Sequence, residues 1–195
     1  MAKIFILMGK SSVGKDTVYK EIKSLREGAL KDVVIYTTRP QRDGEQNGVE
    51  YFFSDVCELA RFEKEGKIIE KRTYNTVFGP WHYFTVDDGQ IDICGPDKYL
   101  IIGTLDVYRK FCEYYGKDKI VPIYIEVEDS VRIRRALERE ERQERPSYTE
   151  MCRRFLADEE DFSEERLAES GITRRYVNGN IEQCVKEILA DIDGM

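Results

Sequence analysis

Apolar positions along this chain follow two alternating periods. The run Lys3 to Met8 reads as a buried strand, and Lys15 to Arg26, with Val18, Ile22 and Leu25 on one face, reads as a helix. Val33 to Thr37 predicts a second strand, ended by Pro40. From Arg39 to about residue 90 the texture changes to glycine-rich turns, short alternating strands and one helix near Asp55 to Glu65, the pattern of an inserted lobe. Tyr99 to Gly103 predicts a strand, followed by a helix that stops at Gly116, and Ile120 to Val127 predicts another strand. Two charged helices are expected over 130–145 and 147–170, with Pro146 between them, and Ile172 to Val177 and Ile181 to Ile192 supply a last strand and helix. Strands alternating with helices imply a parallel α/β sheet. The chain shows no internal repeat and no low-complexity linker.

Composition narrows the class. With 195 residues, 41% hydrophobic and 35% charged, the chain can bury a real core as one domain, and disorder is excluded. The longest apolar runs, Ile4 to Met8 and Ile120 to Ile125, are too short to span a bilayer, and the first twelve residues are too short in apolar content for a secretory signal; the cytoplasm is the expected compartment. Five scattered cysteines with no C-x-x-C pair argue against a disulfide framework and against zinc, and Cys112, Cys152 and Cys184 read as small core residues. A net charge of -7 disfavours grip on a nucleic acid polymer but says little about a small anion, which meets only local charge. The single histidine, His82, and the single tryptophan, Trp81, read as packing or surface residues, and no Ser-His-Asp or Cys-His arrangement can be built.

The first chemical signal is GKSSVGKDT, Gly9 to Thr17, between a predicted strand and a predicted helix. The spacing G-x-x-x-x-G-K is that of a phosphate loop. Backbone amides of Gly9, Lys10, Ser11, Ser12, Val13 and Gly14 would turn around a polyphosphate, aided by the helix N-terminus and the charge of Lys15. A nucleoside triphosphate is the implied ligand. The residue after Lys15 is Asp16 rather than Ser or Thr, and Thr17 lies about 100° further round the helix. Either Asp16 contacts a magnesium ion, directly or through water, or phosphates and water hold the ion and Asp16 points away.

The second signal is YTTRPQRDGEQNGVEYFF, residues 36 to 53. It resembles the GMP-binding segment of guanylate kinases, T-T-R-x-x-R-x-G-E-x-x-G-x-x-Y-x-F. Thr37, Thr38, Arg39, Arg42, Gly44, Glu45, Gly48, Tyr51 and Phe53 are in register with it. The physics of the segment agrees: two guanidiniums clamp a dianionic phosphate, Tyr51 offers a hydroxyl to it, and Glu45 keeps the arginines oriented. The resemblance implies a three-layer phosphate-loop α/β fold with a core over 1–38, 91–130 and 165–195. It also implies an inserted mixed lobe over 39–90 that binds the monophosphate, and a helical lid over about 131–164. It further implies Glu70, in KIIEKR, as reader of the guanine N1–H and amine, with Thr104 and Asp106, in TLD, beside the nucleoside. Asp106 could instead merely cap the helix after it. Two departures remove hydroxyls expected near the base or its phosphate: Ile35 and Tyr36 precede the T-T-R, and Phe78-Gly79-Pro80 stands where the family has Tyr-Gly-Ser/Thr, with Phe78 as the candidate contact.

The third signal is arginine-rich. Arg135 and Arg139 share a helix face, and Arg154 follows Pro146, at separations that match the family's lid arginines. Such residues neutralise charge on a transferring phosphoryl group. Arg132, Arg134, Arg142 and Arg153 crowd the same segments, and for any one of these arginines a solvated face is an even alternative. Asn178, in RYVNGN, stands where the family has a V-x-N turn beside the adenine of ATP. The expectation is therefore an enzyme that uses Mg2+ to transfer a phosphoryl group from ATP to GMP or dGMP, with no membrane or nucleic acid partner. Its rivals are a related kinase acting on another phosphorylated acceptor, such as a ribose bisphosphate, and a guanylate-kinase-like binding module without catalysis.

Overall fold

The computed structural model describes residues 2–76 and 78–195. Two sheets share the strands. A five-stranded parallel sheet has the order β2 (Leu30–Asp32), β7 (Lys98–Ile102), β1 (Lys3–Met8), β8 (Ile120–Glu126), β9 (Arg175–Val177). A four-stranded mixed sheet has the order β4 (Phe52–Phe53), β3 (Tyr36–Thr37), β6 (Gly79–Val86), β5 (Ile68–Thr76).

The central strand explains the layering. Side chains alternate across a strand, and β1 sends Ile4, Ile6 and Met8 to one face and Phe5 and Leu7 to the other, all fully buried. The first face packs on α3 (Leu105–Tyr115) through Leu105, Tyr108 and Phe111. The second packs on α1 (Lys15–Leu25) through Val18 and Ile22 and on α7 (Ile181–Asp193) through Val185, Ile188 and Ile192. The mixed sheet has its own small core, in which Leu59 and Phe62 of α2 (Val56–Lys64) meet Phe84 and Val86. Helices α4 (Asp129–Glu141), α5 (Tyr148–Asp161) and α6 (Glu164–Glu169) complete the chain between β8 and β9.

Three expectations are corrected. The single strand expected over Val33 to Thr37 is replaced by two short ones: β2 joins the parallel sheet at Leu30–Asp32, while Tyr36–Thr37 pairs with β6 and β4 in the mixed sheet. The helix expected over 147–170 breaks after Asp161, because the Ser163 hydroxyl accepts the Arg166 amide and caps a new helix. Cys184 is buried and Cys112 is half-buried, but Cys152 is exposed on α5 and is not a core residue.

Candidate active site

The loop from β1 to α1 leaves the carboxyl end of the central strand, where α/β folds place their ligands. Its glycines answer to specific constraints. A Cβ on Gly9 would lie 2.4 Å from the Ile125 carbonyl oxygen, and Gly14 opens α1 in the left-handed conformation with φ 93°. Lys15 Nζ donates to the carbonyls of Gly9 at 2.7 Å and Lys10 at 3.1 Å, so the amine lies across the loop. Burial pushes its pKa down, against the pull of the Asp158 and Asp16 carboxylates. Ser12 is the one described non-glycine residue with positive φ, at 64°, and its buried Oγ has no partner among the described residues.

A cavity of about 320 Å³ opens over this loop. Ser11, Ser12, Gly14, Lys15, Asp16 and Thr17 form one wall, and Arg135, Arg139 and Arg154 the other. Three arginines picked out on two different helices therefore converge on one loop. The remaining loop residues serve it from outside the cavity. Val13 points into the core, Lys10 pairs with Glu159 at 2.6 Å, and the buried Asn178 amide donates to the Val13 carbonyl at 2.8 Å, bracing the loop from below.

Sequence reasoning missed the group that holds the lid helix on the loop. Arg132, only 1% exposed, donates to the Ser11 carbonyl at 3.2 Å, to Asp158 at 3.2 Å and to Glu159 at 2.9 Å, and its guanidinium lies over the Phe155 ring. The Ser11 amide in turn donates to Asp158 at 2.7 Å. Apart from a pairing with Asp129 one turn before it, Arg132 finds its hydrogen-bond partners 26 to 121 positions away, so no local signal singles it out from the arginines around it.

The second loop is a turn stapled to β6. Thr37 donates its hydroxyl to the His82 carbonyl and accepts the Arg39 amide, while the Thr38 hydroxyl accepts the His82 amide at 2.9 Å. Arg39 is 4% exposed, and the Nη atoms of its guanidinium are held by neighbours on the same turn. It forks onto Glu45 at 2.8 and 3.0 Å and lies 5.3 Å from the Tyr51 ring centroid and 5.6 Å from that of Phe53. Glu45 also accepts the Arg42 amide at 2.8 Å. These hydrogen bonds, with Arg39 foremost, draw the Glu45 carboxyl below its ordinary range. The Arg42 guanidinium is exposed and makes no hydrogen bond among the described residues. Burial pushes the Tyr51 hydroxyl pKa up, so it remains a donor.

Glu70 is 3% exposed on β5. It accepts the Thr85 hydroxyl at 2.9 Å and the Arg72 guanidinium at 3.1 and 3.4 Å, two partners that sequence reasoning did not name. The Glu70-x-Arg72 spacing carried a usable signal, since a strand puts both on one face. Glu70, Arg72 and Asp106 line a cavity of about 380 Å³ between β5 and α3. Arg72, Thr104 and Asp106 line a neighbouring one of about 290 Å³ that reaches Asp161 and Arg166. Thr104, not Asp106, caps α3, by accepting the Val107 amide; Asp106 is exposed and pairs with Arg166 at 3.1 Å. Phe78 is not brought to this group. It sits 82% exposed at the β5–β6 tip, stacked on Trp81, while Glu70 pairs with Thr85 near the other end of the hairpin, about 20 Å away along the strand.

Comparisons with known proteins agree with these two loops. The guanylate kinase family model matches residues 1–83, which hold both loops, Glu70 and Arg72. A guanylate kinase of Thermobifida fusca is 43% identical over 68 residues, 35% of this chain and 34% of that protein. One of Oceanobacillus iheyensis is 37% identical over 117 residues, 56% of this chain and 53% of that protein. These alignments span from about a third to about half of the curated relatives' length. The crystal structure of guanylate kinase from Anaplasma phagocytophilum superposes with a TM-score of 0.62, covering 99% of this chain and 85% of that one at 21% identity, which shows the fold. The family model thus covers the first 83 residues, one sequence alignment is longer than that stretch, and the fold is matched throughout.

Proposed function

We propose that this chain transfers the γ-phosphoryl group of ATP to GMP or dGMP, giving ADP and GDP or dGDP. The observation that carries the reading is the pairing of two cationic turns in one fold. The phosphate loop lies under Arg135, Arg139 and Arg154, and the Arg39–Glu45–Tyr51 turn lies on the mixed sheet beside Glu70. A triphosphate would lie on the loop amides with Lys15 reaching its outer phosphates, and the three arginines would neutralise charge that spreads over the moving group. Arg39, Arg42 and Tyr51 would hold the acceptor phosphate with one oxygen free and in line. Thr38 serves the same turn indirectly, by fixing it to β6. No covalent intermediate is required.

A divalent cation fits the donor cavity. Asp16 is exposed in the first turn of α1 and lines the cavity beside Lys15, and Mg2+ is commonly held by one carboxylate plus substrate phosphates and water. Bound there, the ion would offset the charge of the triphosphate oxygens.

The direct test is ADP release with Mg2+, ATP and a panel of GMP, dGMP, AMP, UMP and ribose 1,5-bisphosphate. Turnover with GMP and dGMP well above the others is expected. Turnover on the sugar phosphate alone, or failure to bind ATP in a titration, would overturn the reading.

A further inference from the structure

Glu70 presents a problem of hydrogen-bond capacity. An ionised carboxylate has about four lone-pair sites, and Thr85 Oγ1, Arg72 Nε and Arg72 Nη2 occupy three of them. Guanine brings two donors side by side, N1–H and the 2-amino group, so one lone pair is too few. The longest of the three bonds, Arg72 Nη2 to Glu70 Oε1 at 3.4 Å, is the one to give up. Releasing it frees one acceptor site on Glu70 and, at the same time, one N–H on Arg72. Guanine needs that pair: an acceptor for its second donor and a donor for its 6-oxo group.

On this basis, and resting on the guanine nucleotide reading above, we infer that Arg72 is a specificity-determining residue that donates to the guanine 6-oxo oxygen while it orients Glu70. The placement supports it. The side chain of Glu70 is closed against solvent, whereas that of Arg72 is 25% exposed and lines both cavities between β5 and α3, so an entering base meets Arg72 first. A guanidinium has five N–H groups, and Arg72 spends only Nε and one Nη2 hydrogen on Glu70; its Nη1–Nη2 edge has no partner among the described residues. That edge is the fork that suits the O6 and N7 acceptors of guanine. Arg72 also stands directly across from Tyr83, whose ring is 5.6 Å from that of Tyr51, and Tyr51 lies against Arg39. One sheet face thus runs from the base pocket to the phosphate turn. A nucleotide fixed at its phosphate end presents its 6-position in a set place, where adenine would put an amino donor against the guanidinium. Arg72 therefore supplies a donor at the base that Ile35, Tyr36 and Pro80 do not.

The test is calorimetric binding of GMP, IMP, AMP and 2-aminopurine riboside monophosphate to the wild type, Arg72→Met and Arg72→Lys, with circular dichroism to confirm folding. IMP keeps the 6-oxo group and lacks the 2-amino group; the 2-aminopurine nucleotide does the reverse. In Arg72→Met, Kd for GMP and IMP should rise about tenfold or more, while Kd for AMP and the 2-aminopurine nucleotide should move less than about threefold. Arg72→Lys, which keeps the charge but not the fork, should fall between, and it carries the test if Arg72→Met does not fold. A loss for the 2-aminopurine nucleotide as large as that for GMP and IMP would mean that Arg72 only props Glu70, and the inference would be wrong. Unchanged GMP preference in both variants would likewise overturn it while leaving the kinase reading intact. A wild type with no preference for GMP over AMP would remove the guanine reading and this assignment together.

Discussion

Lys15, half-buried, and Arg39, buried, are two cations set up differently. Lys15 has only carbonyls for hydrogen-bond partners, and burial lowers its pKa; Arg39 is fully forked onto Glu45, which raises it. The consequence for Lys15 is a pH dependence of known sign. A bound polyphosphate favours the charged amine, so binding takes up a proton wherever the free protein has lost it. Affinity for ATP should therefore fall as pH rises toward about 10, earlier than an ordinary lysine would dictate, and Lys15→Arg should flatten the profile. A flat wild-type profile up to that pH would show that Lys15 does not meet the phosphates. Lys15→Ala should lower kcat by about a hundredfold or more with melting temperature little changed. Arg39→Ala should act chiefly on KM for the monophosphate, since the acceptor's own phosphate, rather than the group in transit, loses its clamp. Steady-state kinetics with each substrate varied in turn separates the two effects.

At the scale of elements, the decisive one is α5. It carries no fully buried side chain, so apolar packing does not fix its position, yet it bears Arg154 of the donor cavity. Its seat is polar, made by Asp158 on the Ser11 amide and by Asp158 and Glu159 on Arg132. Removing a buried charge from such a network leaves its partners unpaired, so Arg132→Ala should cost about 3 kcal/mol and lower the melting temperature by about 6–12 °C. Asp158→Asn should be milder, but should speed amide exchange in α5 and at Ser11 while leaving β1, β7 and β8 protected; unchanged exchange would show that the latch holds nothing. The contrast with the two loops explains what the sequence could disclose. The phosphate loop and the 36–53 turn are contiguous, their chemistry follows from residue types at fixed spacing, and β1 and α1 flank the former as expected. Arg132, Asp158, Arg72 and Thr85 act through partners that only folding supplies. The break at Ser163 was legible in principle, since Ser followed by two glutamates is a helix-start signature, but the apolar period ran through it. The strand expected over 33–37 was misplaced for a different reason: a few apolar residues cannot say which of two sheets they join.

For the whole molecule, the parallel sheet, the mixed sheet and helices α4 and α5 present cationic groups from three separate bodies. The family model matches the first 83 residues and the α4–α5 segment lies outside that match, so the role of its arginines rests on geometry. Arg135, Arg139 and Arg154 converge over the loop although they come from two helices separated by a proline turn, which is the arrangement a closing cover for a triphosphate requires. In-line transfer demands more: the donor and acceptor sites must be joined in one closed complex, with the terminal phosphate of one nucleotide against the phosphate of the other. Adenosine and guanosine linked through five phosphates would span both. Its Kd should be at least about a hundredfold lower than that of ATP or GMP alone, and the advantage should vanish in Lys15→Ala and in Arg39→Ala. A linked compound that binds no better than ATP, with Arg39→Ala making no difference, would show that the two turns never meet and would contradict the phosphoryl-transfer account.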